Sequence, residues 1–298
     1  MAKLVGQLAA SSQLFKHLPV LTDHQGDYGD TLIPVLTEEA LVFGSGLVTT
    51  QRYRGKTNER LTRTMLNIAL ASAGLHPAKA ASLDPRPTVL DPMCGRGTTL
   101  NWALAYGLHG VGIDLERPAL DQYAIFIETW AKRARLPHKM QRYRPGNGDL
   151  RNATFEVAPD RAAFKAGQTQ RISTFIADAG DPAPAIAKRS VDVIVADLPY
   201  GIQHRGAEGG RAGNSRPGNQ PEVQETSQLL ERVLGNWARW LKPTGAICLA
   251  WNTKRASRRD VGSVLAAAGF TPVTAPGGFS MRHVVDATID RDVIVAKN

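Results

Sequence analysis

With 298 residues, 43% of them hydrophobic, the chain can bury a full core as one large domain or as one domain with appendages. Its two cysteines, Cys94 and Cys248, are too few for a disulfide framework and lack metal-ligand spacing, so a reducing cytoplasm is expected and no metal site. The net charge of +9 favours a polyanionic partner. No apolar run approaches the ~18 residues of a membrane helix, and the amino terminus makes a poor signal peptide.

In chain order, residues 1–56 read as an amino-terminal extension holding a strand or helix region, with polar, Gly-containing links at 23–30 and 44–46. A single domain over 57–298 follows. Apolar residues at 61, 65, 66, 68 and 70, with Gly74 after them, predict a helix over 58–72. Gly55-Lys56-Thr57 is not a phosphate loop, because Thr50 stands where its first glycine is required. From residue 88 strands and helices alternate. Strands are predicted near 88–91, 110–114, 173–177, 191–196 and 245–251, and helices near 98–106, 117–134, 227–241 and 259–268. This is the pattern of an α/β parallel sheet. Short strands at 271–274 and 293–296 predict a closing antiparallel hairpin. Two stretches interrupt the plan. Residues 136–171 are polar and basic and read as an insertion. Residues 205–225, rich in Gly, Arg, Asn and Pro, read either as a loop that closes over a substrate or as a disordered connection. His204 at its entrance reads as a loop histidine rather than a catalytic one.

Two motifs carry chemistry. The first is Thr88-Val-Leu-Asp-Pro-Met-Cys-Gly-Arg-Gly-Thr-Thr99, a buried strand running into a glycine loop and a helix. Gly95 and Gly97 allow a tight turn and close approach to a ligand, Thr98 can cap the helix, and Gly107 can end it. Leu100 stands where the third glycine of a dinucleotide fingerprint would be. Asp91, at the strand end, would repel a pyrophosphate and attract a cation. Asp114 closes the next strand about 20 residues later, where a carboxylate can accept ribose hydroxyls, with Glu116 as the alternative. The second motif is Val193-Ile-Val-Ala-Asp-Leu-Pro-Tyr-Gly201, a central strand that delivers Asp197, Leu198, Pro199 and Tyr200 to the carboxyl end of the sheet. Pro199 stiffens the turn and Tyr200 offers a ring on which a base can stack.

Together these motifs resemble the class I S-adenosylmethionine (SAM)-dependent methyltransferases, and within them the TrmN-like branch that methylates guanine N2 in tRNA. The resemblance implies a Rossmann-like sheet and SAM as cofactor. It implies a cofactor set of Asp91, Pro92, Cys94, Gly95, Gly97, Thr98, Asp114, Glu116, Asp178 and Ala179, with Asp178 on the adenine amino group and Thr57 and Asn58 near the methionine end. It implies that Asp197 and a backbone carbonyl of the Asp-Leu-Pro-Tyr turn accept hydrogens from the target amine and aim its lone pair at the methyl. The family pattern at this turn is Asp or Asn followed by Pro-Pro-Tyr, and Leu198 departs from it. RNA would be held by basic clusters at 132–144 (Lys132, Arg133, Arg135, Lys139, Arg142, Arg144) and 254–259 (Lys254, Arg255, Arg258, Arg259); each cluster reads equally as a solvated face. Such tRNA enzymes usually carry an RNA-binding THUMP domain, and the roughly 50 residues before the catalytic region are too few for one. RNA capture would then fall to the basic insertion, the loop or a partner. The alternatives are N-methylation of DNA or of a small-molecule amine, and a non-catalytic SAM- or RNA-binding module.

Overall fold

The computed structural model describes residues 14–21, 28–35, 41–53, 56–143, 150–181, 186–199, 225–273 and 281–298. In the amino-terminal extension, β1 (Leu14–Leu21) and β2 (Tyr28–Val35) pair antiparallel as a two-stranded sheet. A short helix α1 (Gly46–Thr49) follows. The predicted helix at 58–72 is α2 (Glu59–Ser72); Asn58 accepts bonds from the Arg60 and Leu61 amides, which would otherwise lack partners at a helix start. Gly74, at φ +76°, follows its end. A single turn, α3 (Pro77–Ala80), leads to the main sheet.

That sheet has 10 strands. They are β3 (Thr88–Asp91), β4 (His109–Asp114), β5 (His138–Arg142), β6 (Arg151–Val157), β7 (Gln170–Ile176), β8 (Val191–Asp197), β9 (Leu241–Asn252), β10 (Thr271–Pro272), β11 (His283–Val284) and β12 (Asp290–Lys297). Their order is β10-β12-β9-β8-β3-β4-β7-β6-β5, with β11 also on β12. The central strands β9, β8, β3, β4 and β7 are parallel, and both edges are antiparallel. This is the Rossmann-like sheet of class I methyltransferases, closed by the expected antiparallel carboxyl-terminal strand pairing. The described residues within 136–171 belong to the main sheet: β5 and β6 lengthen it beyond β7, and a short helix, α6 (Arg161–Lys165), links β6 to β7.

The remaining helices are α4 (Thr98–Ala105), α5 (Arg117–Arg133), α7 (Glu225–Trp240) and α8 (Arg258–Ala267). Successive strand residues face opposite sides of a sheet. Accordingly Ile194 and Ala196 of β8 pack with Leu230, Leu234, Trp237 and Leu265 of α7 and α8, while Val193 and Val195 pack with Met65, Leu70 and Trp102 of α2 and α4. Leu120, Tyr123 and Ile127 of α5 share a third cluster with Leu100 and Leu104 of α4. A strand apolar on both faces is what a central parallel position requires. Each large apolar side chain fully buried in this way contributes roughly 1.5–3 kcal/mol. Among the described residues, no helix is long and apolar enough to cross a membrane.

Candidate active site

β3 lies between β4 and β8, so the carboxyl ends of three neighbouring parallel strands meet at one edge. α/β sheets bind their ligands at such an edge. Asp91 ends β3, Asp114 ends β4 and Asp197 ends β8. The glycine loop after β3 is stitched onto β4: the Cys94 amide donates to the Ile113 carbonyl at 2.9 Å and the Gly95 amide to Asp114 Oδ2 at 2.7 Å. Asp114 Oδ1 accepts the Glu116 amide at 2.9 Å. Each carboxylate oxygen can accept more than one bond, so Asp114 can hold the loop and a ribose hydroxyl together. Glu116 itself is exposed, next to α5.

The loop turns at Gly95 (φ +50°) and Gly97 (φ +79°). A Cβ on Gly97 would stand 2.4 Å from the Tyr123 ring, whereas a Cβ on Gly95 would meet nothing within 4 Å. Gly97 is thus packed inward and Gly95 borders open space. Gly97, not Thr98, is the N-cap of α4, because only glycine adopts its left-handed backbone without strain. The Thr98 hydroxyl is instead 3.3 Å from the Tyr53 hydroxyl, and Arg96 stacks 4.7 Å from the Tyr53 ring centroid. Pro92 is buried in the loop. The Cys94 side chain is also buried, and burial pushes its thiol well above the usual range, so it stays protonated and inert.

Asp91 is 5% exposed. Burial pushes its carboxyl up to about 7; bonds from Thr99 and the Met93 amide oppose this, and the charges of Asp114 and Asp197 add to it. The site therefore gathers three carboxylates beside a glycine that faces open space. A ligand bearing an ammonium and a sulfonium fits that donor set; a pyrophosphate does not.

On the far side of β4, the loop carrying Asp178 and Ala179 is held by one face of α7. Asn236 donates to the Gly180 carbonyl at 2.7 Å and Trp237 Nε1 to the Ala179 carbonyl at 2.8 Å, while Arg232 pairs with Asp178. Burial acts against the Asp178 charge, but the Arg232 guanidinium and the Gly180 amide hold its carboxyl below the usual value. None of the α7 contacts was legible in the sequence.

A second group of contacts is built around Asp197. Its Oδ2 accepts the Thr57 hydroxyl at 2.8 Å and forms an ion pair with Arg291 Nη2 at 3.6 Å. Thr57 precedes α2 and Arg291 lies in β12, so three distant segments converge on one oxygen. Thr57, expected near the methionine end of the cofactor, bonds the Asp197 carboxylate, and Asn58 caps α2. The Leu198 amide donates to the Ala250 carbonyl at 2.9 Å and its side chain is buried. A proline here, as in the family pattern, would forfeit that bond. Pro199 is exposed, and Tyr200, His204, Arg144 and residues 205–224 lie outside the described residues. Sequence reasoning missed Tyr53 and Arg291. Arg291 stands between Asp290 and Asp292 at the head of an apolar strand run, and nothing in that order marks it as buried against Asp197.

The sequence profile of the RMKL-like methyltransferase domain (UPF0020) matches residues 54–211, more than half of the chain and both motifs. No curated protein matches the chain in sequence. Among solved structures, the fold resembles TrmN from Thermus thermophilus, at 18% identity over 92% of this chain and 57% of that one, with a TM-score of 0.45. The chain thus spans little more than half the length of TrmN. It also resembles a 1,6-didemethyltoxoflavin-N1-methyltransferase from Burkholderia thailandensis (15% identity, 81% of this chain and 79% of that one, TM-score 0.43). A third likeness is to a geranyl diphosphate C-methyltransferase from Streptomyces coelicolor (12% identity, 80% and 81%, TM-score 0.40). Likeness at this level says nothing of the acceptor.

Proposed function

The chain belongs to the RMKL-like methyltransferase-domain family (UPF0020) as a class I SAM-dependent methyltransferase, and from this we propose that it methylates an amino nitrogen held at Asp197. The observation that carries the reading is the convergence of Asp91, Asp114 and Asp197 at neighbouring strand ends, with Asp197 clamped by Thr57 and Arg291. SAM, when bound, would be held by Asp91 and Asp114 and would supply an electrophilic methyl on sulfur; its transfer would form the N–C bond as the S–C bond breaks, with a neutral thioether as leaving group. Asp197 accepts one hydrogen of the amine, and a backbone carbonyl of the Leu198-Pro199 turn accepts another. The nitrogen's proton passes to Asp197 or to water after transfer. Alignment of this kind supplies roughly 7–11 kcal/mol.

A small-molecule amine is the acceptor that the placement of charge favours. The first basic cluster stands mostly away from the site: α5 runs back from the carboxyl end of β4, and His138, just beyond the helix, pairs through Val157 to Gln170 at the start of β7. Lys132 and Arg142 both bond Glu128, and Arg258 bonds Asp292. A second reading, guanine N2 in RNA, draws on the Asp-Leu-Pro-Tyr-Gly motif, the net charge of +9, and the position of residues 254–259 just past the carboxyl end of β9, on the same edge as Asp197.

Incubation with methyl-labelled SAM and separate acceptors tests both readings: total tRNA, ribosomal RNA, DNA, and a panel of heteroaromatic and alkyl amines, analysed by mass spectrometry. A labelled heteroaromatic amine, with rates insensitive to salt, supports the first reading. N2-methylguanosine in RNA establishes the second. Tight SAM binding without transfer to any amine would leave only a SAM-binding module.

A further inference from the structure

Arg291 is only 7% exposed, in a strand that continues through Asp292, which is buried and paired with Arg258, into the core residues Val293 and Ile294. An arginine is seldom buried unless a charge holds it, and its charged end reaches the Asp197 carboxylate. Thr57 meets the same oxygen from the other side of the chain's length. A carboxylate has two oxygens and about four acceptor positions, and the Thr57 and Arg291 contacts both fall on Oδ2.

We propose that Arg291 is a positioning residue of the acceptor site: its ion pair with Asp197 Oδ2 fixes the orientation of the carboxylate and offsets its charge, so that the site takes neutral amines rather than ammonium ions. An isolated carboxylate at this edge, beside Asp91 and Asp114, would draw cations strongly. An alkylammonium ion so drawn would sit over the methyl with no lone pair to accept it. A guanidinium 3.6 Å from Asp197 opposes that capture while leaving the carboxylate able to accept an N–H. The inference rests on the assignment of Asp197 to the acceptor.

The test needs no knowledge of the acceptor. S-adenosylhomocysteine lacks the transferable methyl group, and sinefungin carries a protonated amine in its place. The ratio of their affinities, measured by calorimetry on the full chain, reads the electrostatic field at the methyl position and cancels general damage to the cofactor site. Measurement at pH 8 keeps Asp91, at about 7, mostly ionised in every variant. Arg291→Met should raise the preference for sinefungin about tenfold, the change that ~1.4 kcal/mol produces. Arg291→Lys, which keeps the charge, should leave it within about twofold of the parent. Arg291→Gln is the second neutral variant should the Met side chain impair folding, and melting curves monitor each protein. Asp197→Asn should lower the ratio. A ratio unmoved in Asp197→Asn would remove Asp197 from the methyl position and with it the proposed function. A ratio that falls in Asp197→Asn but stays level in both neutral Arg291 variants would overturn the role of Arg291 alone.

Discussion

At the residue scale, Asp91 makes cofactor binding depend on pH. With its carboxyl at about 7, it is partly protonated at neutrality and must lose that proton to attract a cationic ligand. SAM affinity should therefore rise with pH up to about 8, falling about tenfold per unit below 7, and Asp91→Asn should flatten the profile. Calorimetry in buffers of different ionisation enthalpy would detect the released proton; a flat profile in the parent would remove the charge argument. The effect on stability has the opposite sign. Because the folded value is raised, the stabilisation from this proton is full below the unfolded value near 4 and is lost as pH rises through about 7. The melting-temperature increase produced by SAM should accordingly grow from pH 6 to pH 8. The two loop glycines should also separate. Gly97→Ala forces a Cβ into the Tyr123 ring and should destabilise the fold by about 1–3 kcal/mol. Gly95→Ala strains a left-handed backbone but places its methyl in open space, so it should lower the melting temperature less than Gly97→Ala while weakening SAM binding. Equal damage in both assays for both variants would mean that Gly95 does not border the cofactor.

At the scale of elements, strand and helix positions follow from period and punctuation, and the site loops follow from which helix clamps them. Strands β3, β4, β7 and β8 lie where apolar runs ending in Asp or small residues put them, because a central parallel strand needs apolar residues on both faces. The polar, basic character of 136–171 hid two strands. An edge strand faces solvent and needs no apolar run, and β5 alternates only between half-buried and exposed residues. The loop at Asp178 gives an element-scale prediction. Trp237→Phe removes the indole N–H that serves the Ala179 carbonyl and leaves a cavity where the second ring stood, so it should cost at least about 1–3 kcal/mol. It should also weaken SAM binding by loosening that loop. Unchanged SAM affinity at reduced stability would show that the loop does not touch the cofactor.

At the scale of the whole molecule, the question is where the positive charge stands relative to Asp197. If the acceptor is RNA, Arg255→Glu with Arg259→Glu should raise its KM about tenfold and flatten the dependence on salt, since these residues follow β9 on the edge of the site. Arg133→Glu with Lys139→Glu, near the opposite edge, should change KM by less than about twofold. Equal effects of the two pairs would mean that the acceptor wraps the whole domain. A small-amine acceptor predicts no effect from either pair.

The glycine loop, the acidic strand ends, Asp197 and the mostly parallel core could all be read from the amino acids in order. Each is a short-range pattern: a two-residue strand period, a helical period, a glycine where the backbone must turn left-handed, a carboxylate where a strand stops. Which strands become neighbours is not a short-range property. The sheet order brought β3 beside β8 and β12 beside β9, and thereby set Thr57, Asp197 and Arg291 on one another although Thr57 and Asp197 are 140 residues apart in the chain. The clamp of α7 on the Asp178 loop arose in the same way. Burial then did what no sequence pattern encodes: packed among apolar groups and two other carboxylates, Asp91 binds its proton near neutrality, and Arg291 is held where its charge meets Asp197.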